Sequence, residues 1–83
     1  MTLTLSEFLA QIEAVSGATD VDPDAALVEI SDIDSMDMME WLYSFQSEHP
    51  EVGADPDIFE NEDGSTTLRI VHDRLVKVAA AAA

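Results

Sequence analysis

The stretch "DIDSMDMMEW", residues 32–41, places Ser35 among three aspartates, directly before an apolar run with helical spacing. Ser and Asp are preferred at helix N-termini, because their side-chain oxygens accept hydrogen bonds from the free backbone N–H groups there. A proline disfavours helical geometry in the residue before it. The stretch therefore predicts a helix that runs from about Ser35 to about Glu48 and is ended by Pro50.

A helix of about 3.6 residues per turn divides the side chains of this segment between two faces. One face is apolar and predicts the core side, and it comprises Met38, Leu42, Phe45 and His49, flanked by Met39 and Trp41. The opposite face carries Met36, Glu40, Tyr43 and Ser47. Methionine adapts to differently shaped partners and tyrosine is a common interface anchor, so Met36 and Tyr43 suit a docking stripe. They would equally suit a cover over the preceding loop, and helical geometry leaves both interpretations open.

The other segments complete an all-α prediction. "TLSE" (4–7) predicts a capping box with Thr4 as N-cap, and Gly17 ends this first helix. A long acidic connection, 17–34, follows, with four apolar side chains expected to hold it against the core: Leu27, Val28, Ile30 and Ile33. Residues 51–64 hold at most a short turn around Ile58 and Phe59. The last helix begins at Thr66 or Thr67 and buries a stripe made of Leu68, Val71, Leu75 and Val78.

These segments predict one small helical bundle over residues 1–78, with three main helices and a short or irregular third helix before the last one. The alanines at 79–83 are expected to form a frayed or appended tail. A chain of 83 residues has room for one core only.

The charge balance is strongly acidic, with 18 acidic residues against 3 basic ones and a formal net charge of −15. Such a surface repels nucleic acid and anionic membranes and favours basic protein partners. The N-terminal segment lacks signal-peptide features and no stretch is long enough for a membrane span, so we expect a soluble, cytoplasmic monomer.

Catalytic and metal-binding functions find little support in the spacing. No glycine-flanked elbow surrounds Ser35, and His49 and His72 stand far from it along the chain, so an enzyme is not expected. "DVDPD" (20–24) and "DIDSMD" (32–37) resemble the opening of a calcium loop. Their sixth positions, however, are alanine and aspartate rather than glycine, and their twelfth are serine and tyrosine rather than glutamate. We therefore expect no metal site.

Taken together, these residues resemble the acyl carrier protein family. "DSMDMMEW" (34–41) is similar to the Asp-Ser-Leu signature at the start of that family's second helix, with Met36 in place of the leucine. Asp37 and Glu40 match acidic positions common in the family, and "TTLRIVHDRL" (66–75) resembles the opening of its last helix. The resemblance covers roughly residues 3–78.

The resemblance implies a carrier function. A phosphopantetheinyl transferase would attach 4′-phosphopantetheine from coenzyme A to Ser35, and the thiol of this arm would hold an acyl, aminoacyl or peptidyl group as a thioester. Asp34 would contact the transferase or its metal. Loading and transfer enzymes with basic docking surfaces would read a surface formed by Met36, Asp37, Glu40 and Tyr43. A helix N-terminus suits the phosphodiester, because its N–H groups and dipole favour an anion.

Two departures from the family pattern bear on the pathway. Asp32 and Ile33 stand where the family usually has a glycine, and "NEDGS" (61–65) lengthens the chain before the last helix. These departures favour a specialised biosynthetic pathway over the housekeeping fatty-acid role. The alternative function is an unmodified acidic helical adaptor that binds partners through the Met36–Glu40–Tyr43 stripe. A weak divalent-cation-binding protein ranks third.

Overall fold

The computed structural model describes residues 3–61 and 63–82, and within these ranges the chain forms three α-helices and no strand. Helix α1 spans Leu5–Ser16, α2 spans Ser35–Glu48 and α3 spans Leu68–Ala82. Short 3-10 helices lie at Leu27–Glu29, Pro50–Val52 and Pro56–Phe59. The all-α prediction is confirmed, and the Pro56–Phe59 turn stands where a short or irregular third helix was expected.

Helix α1 begins and ends on the predicted local signals. Thr4 and Glu7 form the capping box, with each backbone N–H donating to the other residue's side chain at 3.1 Å. Gly17 ends the helix in the left-handed region, at φ 78°, where a side chain would be strained. Phe8 and Ile12 are completely buried, so this side of α1 faces the core.

The core is organised around Trp41 of α2. Its ring centroid lies 5.0 Å from those of Phe8 and Phe45 and 5.9 Å from that of Phe59. The indole Nε1 donates a hydrogen bond of 2.8 Å to Gln11 Oε1, which satisfies the polar end of a ring that is 2% exposed. One side chain thereby joins α1, α2 and the Pro56–Phe59 turn.

The long connection 17–34 is fastened to the start of α3. The Leu27 N–H donates to the Thr66 carbonyl at 2.8 Å, beside an isolated antiparallel bridge between Ala26 and Thr67. Arg69 Nε donates to Asp24 Oδ1 at 2.7 Å. These contacts join segments that are more than 30 residues apart, so a long loop is held in one position.

One prediction for this loop, that Val28 packs against the core, is wrong. Leu27 and Ile33 are buried and Ile30 is half-buried, as expected, but Val28 is 70% exposed. Leu27 and Val28 are consecutive residues of a 3-10 turn, whose side chains point about 120° apart. Because Leu27 packs into the core, Val28 is directed to solvent.

Helix α3 is capped by Thr67, whose Oγ1 accepts a 3.2 Å hydrogen bond from the Ile70 N–H. The neighbouring Thr66 is buried and donates its hydroxyl to the Glu60 carbonyl at 2.9 Å. The helix continues through residues 79–82, which were predicted as a tail, and Ala79 packs against the core. Residue 83 of that tail lies outside the described residues, and the domain boundary at residue 78 stays a prediction.

Candidate functional site

Ser35 is the first residue of α2, and Asp34 is the residue that caps the helix. The Asp37 N–H donates to Asp34 Oδ1 at 2.9 Å, and the Asp34 N–H donates to Asp37 Oδ2 at 3.2 Å. This capping box relieves Ser35 of the capping role that its residue type suggested. The Ser35 side chain is exposed, and within residues 3–61 and 63–82 its hydroxyl has no hydrogen-bond partner.

Two backbone donors remain at this helix end. The first four N–H groups of an α-helix have no partner inside the helix, and the capping box satisfies those of Asp34 and Asp37. Within the described residues, the N–H groups of Ser35 and Met36 are left without an acceptor. These donors and the helix dipole favour an anion at Ser35, whereas the carboxylates of Asp34 and Asp37 repel one. The start of α2 therefore combines a local attraction for anions with acidic surroundings.

Two clefts meet at Ser35. The cleft on the α2 side, about 640 Å³, brings together all six residues predicted for the site, together with Met39. Its lining consists of Asp34, Ser35, Met36, Asp37, Met39, Glu40 and Tyr43. The cleft on the loop side, about 330 Å³, is bounded by residues from three separate parts of the chain, among them Leu27, Val28, Ile33, Met38, Phe59 and Asn61.

The α2-side cleft decides between the two interpretations of the stripe. Met36 is 78% exposed and Tyr43 is 65% exposed, and no residue of the preceding loop before Asp34 lines the cleft with them. A side chain that covered the loop would be buried by it. The interpretation that Met36 and Tyr43 cover the acidic loop is therefore wrong, and their apolar surface is free to meet a partner.

The charge at both clefts is negative and uncompensated. The 3 basic residues of the chain all lie on α3. Arg69 pairs with Asp24, Lys77 lies 2.9 Å from Asp73, and Arg74 donates to the carbonyls of Ile58 and Glu60. The hydrogen bond from Arg69 holds the pKa of the Asp24 carboxyl below its ordinary value. No basic side chain lines either cleft among the described residues, so the surface around Ser35 attracts cationic groups.

The histidines lie away from Ser35. His72 Nε2 lies 2.6 Å from the Leu3 carbonyl oxygen and its ring centroid lies 5.9 Å from that of Phe8, while His49 packs against Phe45 at 4.9 Å. Across the described part of the chain, no group of three or more histidine, aspartate or glutamate side chains is arranged to hold a metal ion. In the same residues, no helix has both the length and the apolar character needed to cross a membrane.

Sequence reasoning missed the loop-side cleft. Val28 was expected in the core, and Phe59 and Asn61 come from a segment that was predicted only as a short turn. No local signal points to them, because they reach Ser35 only when the Pro56–Phe59 turn packs against α2. For Val28 there was a local signal. In a tight turn, only one of two adjacent apolar residues can face the core, so either Leu27 or Val28 had to be exposed.

Comparison with known protein families, with curated proteins and with solved structures finds no match to this chain. What this surface does is therefore inferred from its own residues. They comprise an exposed serine at a capped helix start, two clefts that meet there, and an acidic surface with exposed apolar side chains.

Proposed function

We propose that this chain is an acyl carrier protein whose Ser35 carries 4′-phosphopantetheine. The observation that carries the proposal is the exposed Ser35 hydroxyl at the start of α2, with Asp34 taking over the capping role. The resemblance of residues 34–41 and 66–75 to the carrier family gives this geometry its interpretation. The protein would not be an enzyme, because it presents a substrate that other enzymes transform.

The modification would be a transfer of phosphopantetheine from coenzyme A. Ser35 Oγ would form a new bond to the phosphorus that bears the pantetheine arm. The pyrophosphate P–O bond of coenzyme A would break, and adenosine 3′,5′-bisphosphate would leave with the bonding electrons. The transferase would supply the base that takes the serine proton and the metal that offsets the phosphate charges. Ser35 therefore needs access to solvent and no internal activation.

The remaining site residues would act in recognition. Asp34 would face the transferase or its metal, and Met36 and Tyr43 would fill apolar depressions on a partner. Asp37 and Glu40 would pair with basic residues around those depressions, and such pairing speeds association and selects partners. The cargo would be an acyl, aminoacyl or peptidyl thioester of a specialised biosynthetic pathway, loaded and used by cytoplasmic enzymes on a monomeric carrier.

A mass measurement tests this proposal. The chain is incubated with coenzyme A, magnesium and a broad-specificity phosphopantetheinyl transferase, and we expect it to gain the mass of one phosphopantetheine. Ser35→Ala should abolish the gain. Ser47→Ala, which removes another exposed serine from the same helix, should leave it unchanged. A wild-type chain that stays unmodified with several such transferases would overturn the carrier proposal.

The second candidate is an unmodified adaptor that binds basic partners through the Met36–Glu40–Tyr43 stripe. The high exposure of Met36 and Tyr43 favours it, because this surface does not need a prosthetic group to bind.

For the carrier proposal, Glu40→Lys distinguishes a recognition role of Glu40 from a structural one. Helicity should be retained while the rate of modification falls, and a loss of helicity would place Glu40 in the fold instead.

A further inference from the structure

We infer that the docking surface extends across Ser35 onto the loop, where Val28 is a second apolar contact for the same partner. A protein seated on Ser35 would then touch Val28 on one side and Met36 on the other. This inference rests on the proposed function, in which a partner enzyme must reach the Ser35 hydroxyl. It adds a residue outside α2 to the recognition surface.

The distribution of exposed apolar side chains carries the inference. Among the described residues, 5 large apolar side chains are exposed, and the three most exposed of them line the two clefts that meet at Ser35: Val28, Met36 and Tyr43. The other two, Ile70 and Val76, lie on α3 and are only 39% and 42% exposed. A single exposed valine is ordinary, but several exposed apolar side chains in adjoining clefts are typical of a binding surface.

Val28 is also held in position before a partner arrives. Its neighbour Leu27 is 6% exposed and donates its N–H to the Thr66 carbonyl, and the Ile30 N–H closes the turn on the Leu27 carbonyl at 3.1 Å. A side chain on a fixed turn loses less conformational freedom on binding than one on a mobile loop. The turn therefore presents Val28 as a preorganised contact.

The charges around these side chains identify the occupant as a basic protein surface. Glu29 follows Val28 directly, Asp32 and Asp34 precede Ser35, and Asp37 and Glu40 lie beside Met36. Since no basic side chain lines either cleft within the described residues, cationic groups on the partner would meet uncompensated carboxylates. The partner must combine apolar depressions with a surrounding ring of lysine or arginine.

The experiment compares two valines under the transferase assay. Val28→Ser, Met36→Ser and the double variant are assayed for the rate of mass gain at limiting protein concentration, with a phosphopantetheinyl transferase as the partner. Val76→Ser is the matched control, because Val76 is exposed on α3 and lines neither cleft. We expect about a five- to tenfold lower kcat/KM for each single variant at the surface and no change for Val76→Ser. Separate contacts to one partner should multiply in the double variant.

Three outcomes decide the matter. A Val28→Ser rate equal to that of Val76→Ser, with Met36→Ser still slow, would overturn the role of Val28 and leave the carrier proposal standing. A wild-type chain that gains no mass would overturn both. If circular dichroism or the melting temperature shows that Val28→Ser perturbs the turn, Val28→Thr is used instead, because it keeps the β-branched shape and replaces one methyl group with a hydroxyl. Normal kinetics of a folded Val28→Thr, with a slow Met36→Ser, would then count against the inference.

Discussion

The two faces of α2 differ sharply in their exposure to solvent. Leu42 and Tyr43 are adjacent in sequence, yet Leu42 is fully buried and Tyr43 is 65% exposed. The inner face joins the core through Trp41, while the outer face is mostly exposed. The buried residues of this helix therefore stabilise the fold and the exposed ones are available for binding. The exposed residues can change to suit a partner at little cost in stability.

The exposure of the outer face has an energetic meaning. Full burial of a side chain such as methionine stabilises a protein by about 1.5–3 kcal/mol relative to exposure. Met36, at 78% exposure, leaves most of that stabilisation unused in the free protein. It becomes available when a partner covers the side chain, which is the behaviour proposed for the α2 surface.

The largest expected effect comes from the adjacent pair itself. Leu42→Ala should lower the free energy of unfolding by about 2–5 kcal/mol, because it leaves a cavity in the packed core. Tyr43→Ala should change it by less than about 0.5 kcal/mol. Urea unfolding followed by circular dichroism measures both, and Leu42→Val gives a milder cavity if the alanine variant does not fold. Equal losses of unfolding free energy at the two positions would show that the two faces of α2 contribute equally to stability.

The next largest effect on stability is expected at Asp34, which caps α2. Asp34→Ala should cost about 1 kcal/mol, because the Asp37 N–H loses its acceptor. Asp34→Asn should retain nearly all of this stability, since asparagine is an equally good N-cap. Both variants remove the carboxylate, so we expect both to slow modification by the transferase. Destabilisation of the asparagine variant to the same extent would show that charge, not capping, is what the helix start requires.

Salt should act in opposite directions on folding and on recognition. The molecule measures 34 × 26 × 20 Å, and the Debye length falls from about 30 Å at 0.01 M to about 3 Å at 1 M ionic strength. Screening of a net charge of −15 should raise the melting temperature by several degrees, the shift that ~1 kcal/mol produces in a domain of this size. The same screening should lower kcat/KM with a basic transferase.

Magnesium chloride and sodium chloride at equal ionic strength form the control for this measurement. Screening alone predicts nearly equal stabilisation by the two salts. Saturable extra stabilisation by magnesium or calcium would indicate a specific divalent-cation site and support the third-ranked function.

The smallest effect concerns the loop that carries Val28. Because Arg69 lowers the pKa of Asp24 in the folded state, the pair stabilises the fold at neutral pH, and this stabilisation is lost as the pH falls through the lowered pKa. Asp24→Asn should therefore melt slightly below the wild type at pH 7, and the difference should vanish in strong acid. Asp32→Asn is the control, since Asp32 pairs with no basic side chain in the described ranges, and its melting temperature should not fall. A persistent Asp24 difference in acid would exclude the ion pair as its cause.

The helix ends were predictable because their signals are local. The Thr4–Glu7 capping box, the left-handed Gly17 and the preference of Ser and Asp for the start of α2 each act within about one turn of the chain. The sequence left open whether Asp34 or Ser35 caps α2, and the structure assigns the cap to Asp34. The two faces of α2 followed from periodicity for the same reason. All six predicted site residues meet at one cleft because they lie on consecutive turns of one helix or at its cap.

The wrong prediction for Val28 and the contacts that the sequence did not reveal both depend on packing between segments that are far apart along the chain. Leu27 rather than Val28 enters the core where this turn is bonded to Thr66, a residue that lies just before α3. Arg69 pairs with Asp24, 45 residues away, although its own helix also offers a carboxylate at Asp73. Periodicity within one segment contains no information about these contacts.

The sequence by itself determined the all-α class, the start of α2 at Ser35, the division of that helix into two faces and the acidic surface. These properties depend on hydrogen bonds within a turn, on helical spacing and on composition. Only the tertiary structure decided that Trp41 would join three elements, that Val28 would face solvent, and that Phe59 and Asn61 would complete a cleft at Ser35. The physical reason is that core volume is shared among distant segments, so which side chains it admits is settled only when those segments pack together.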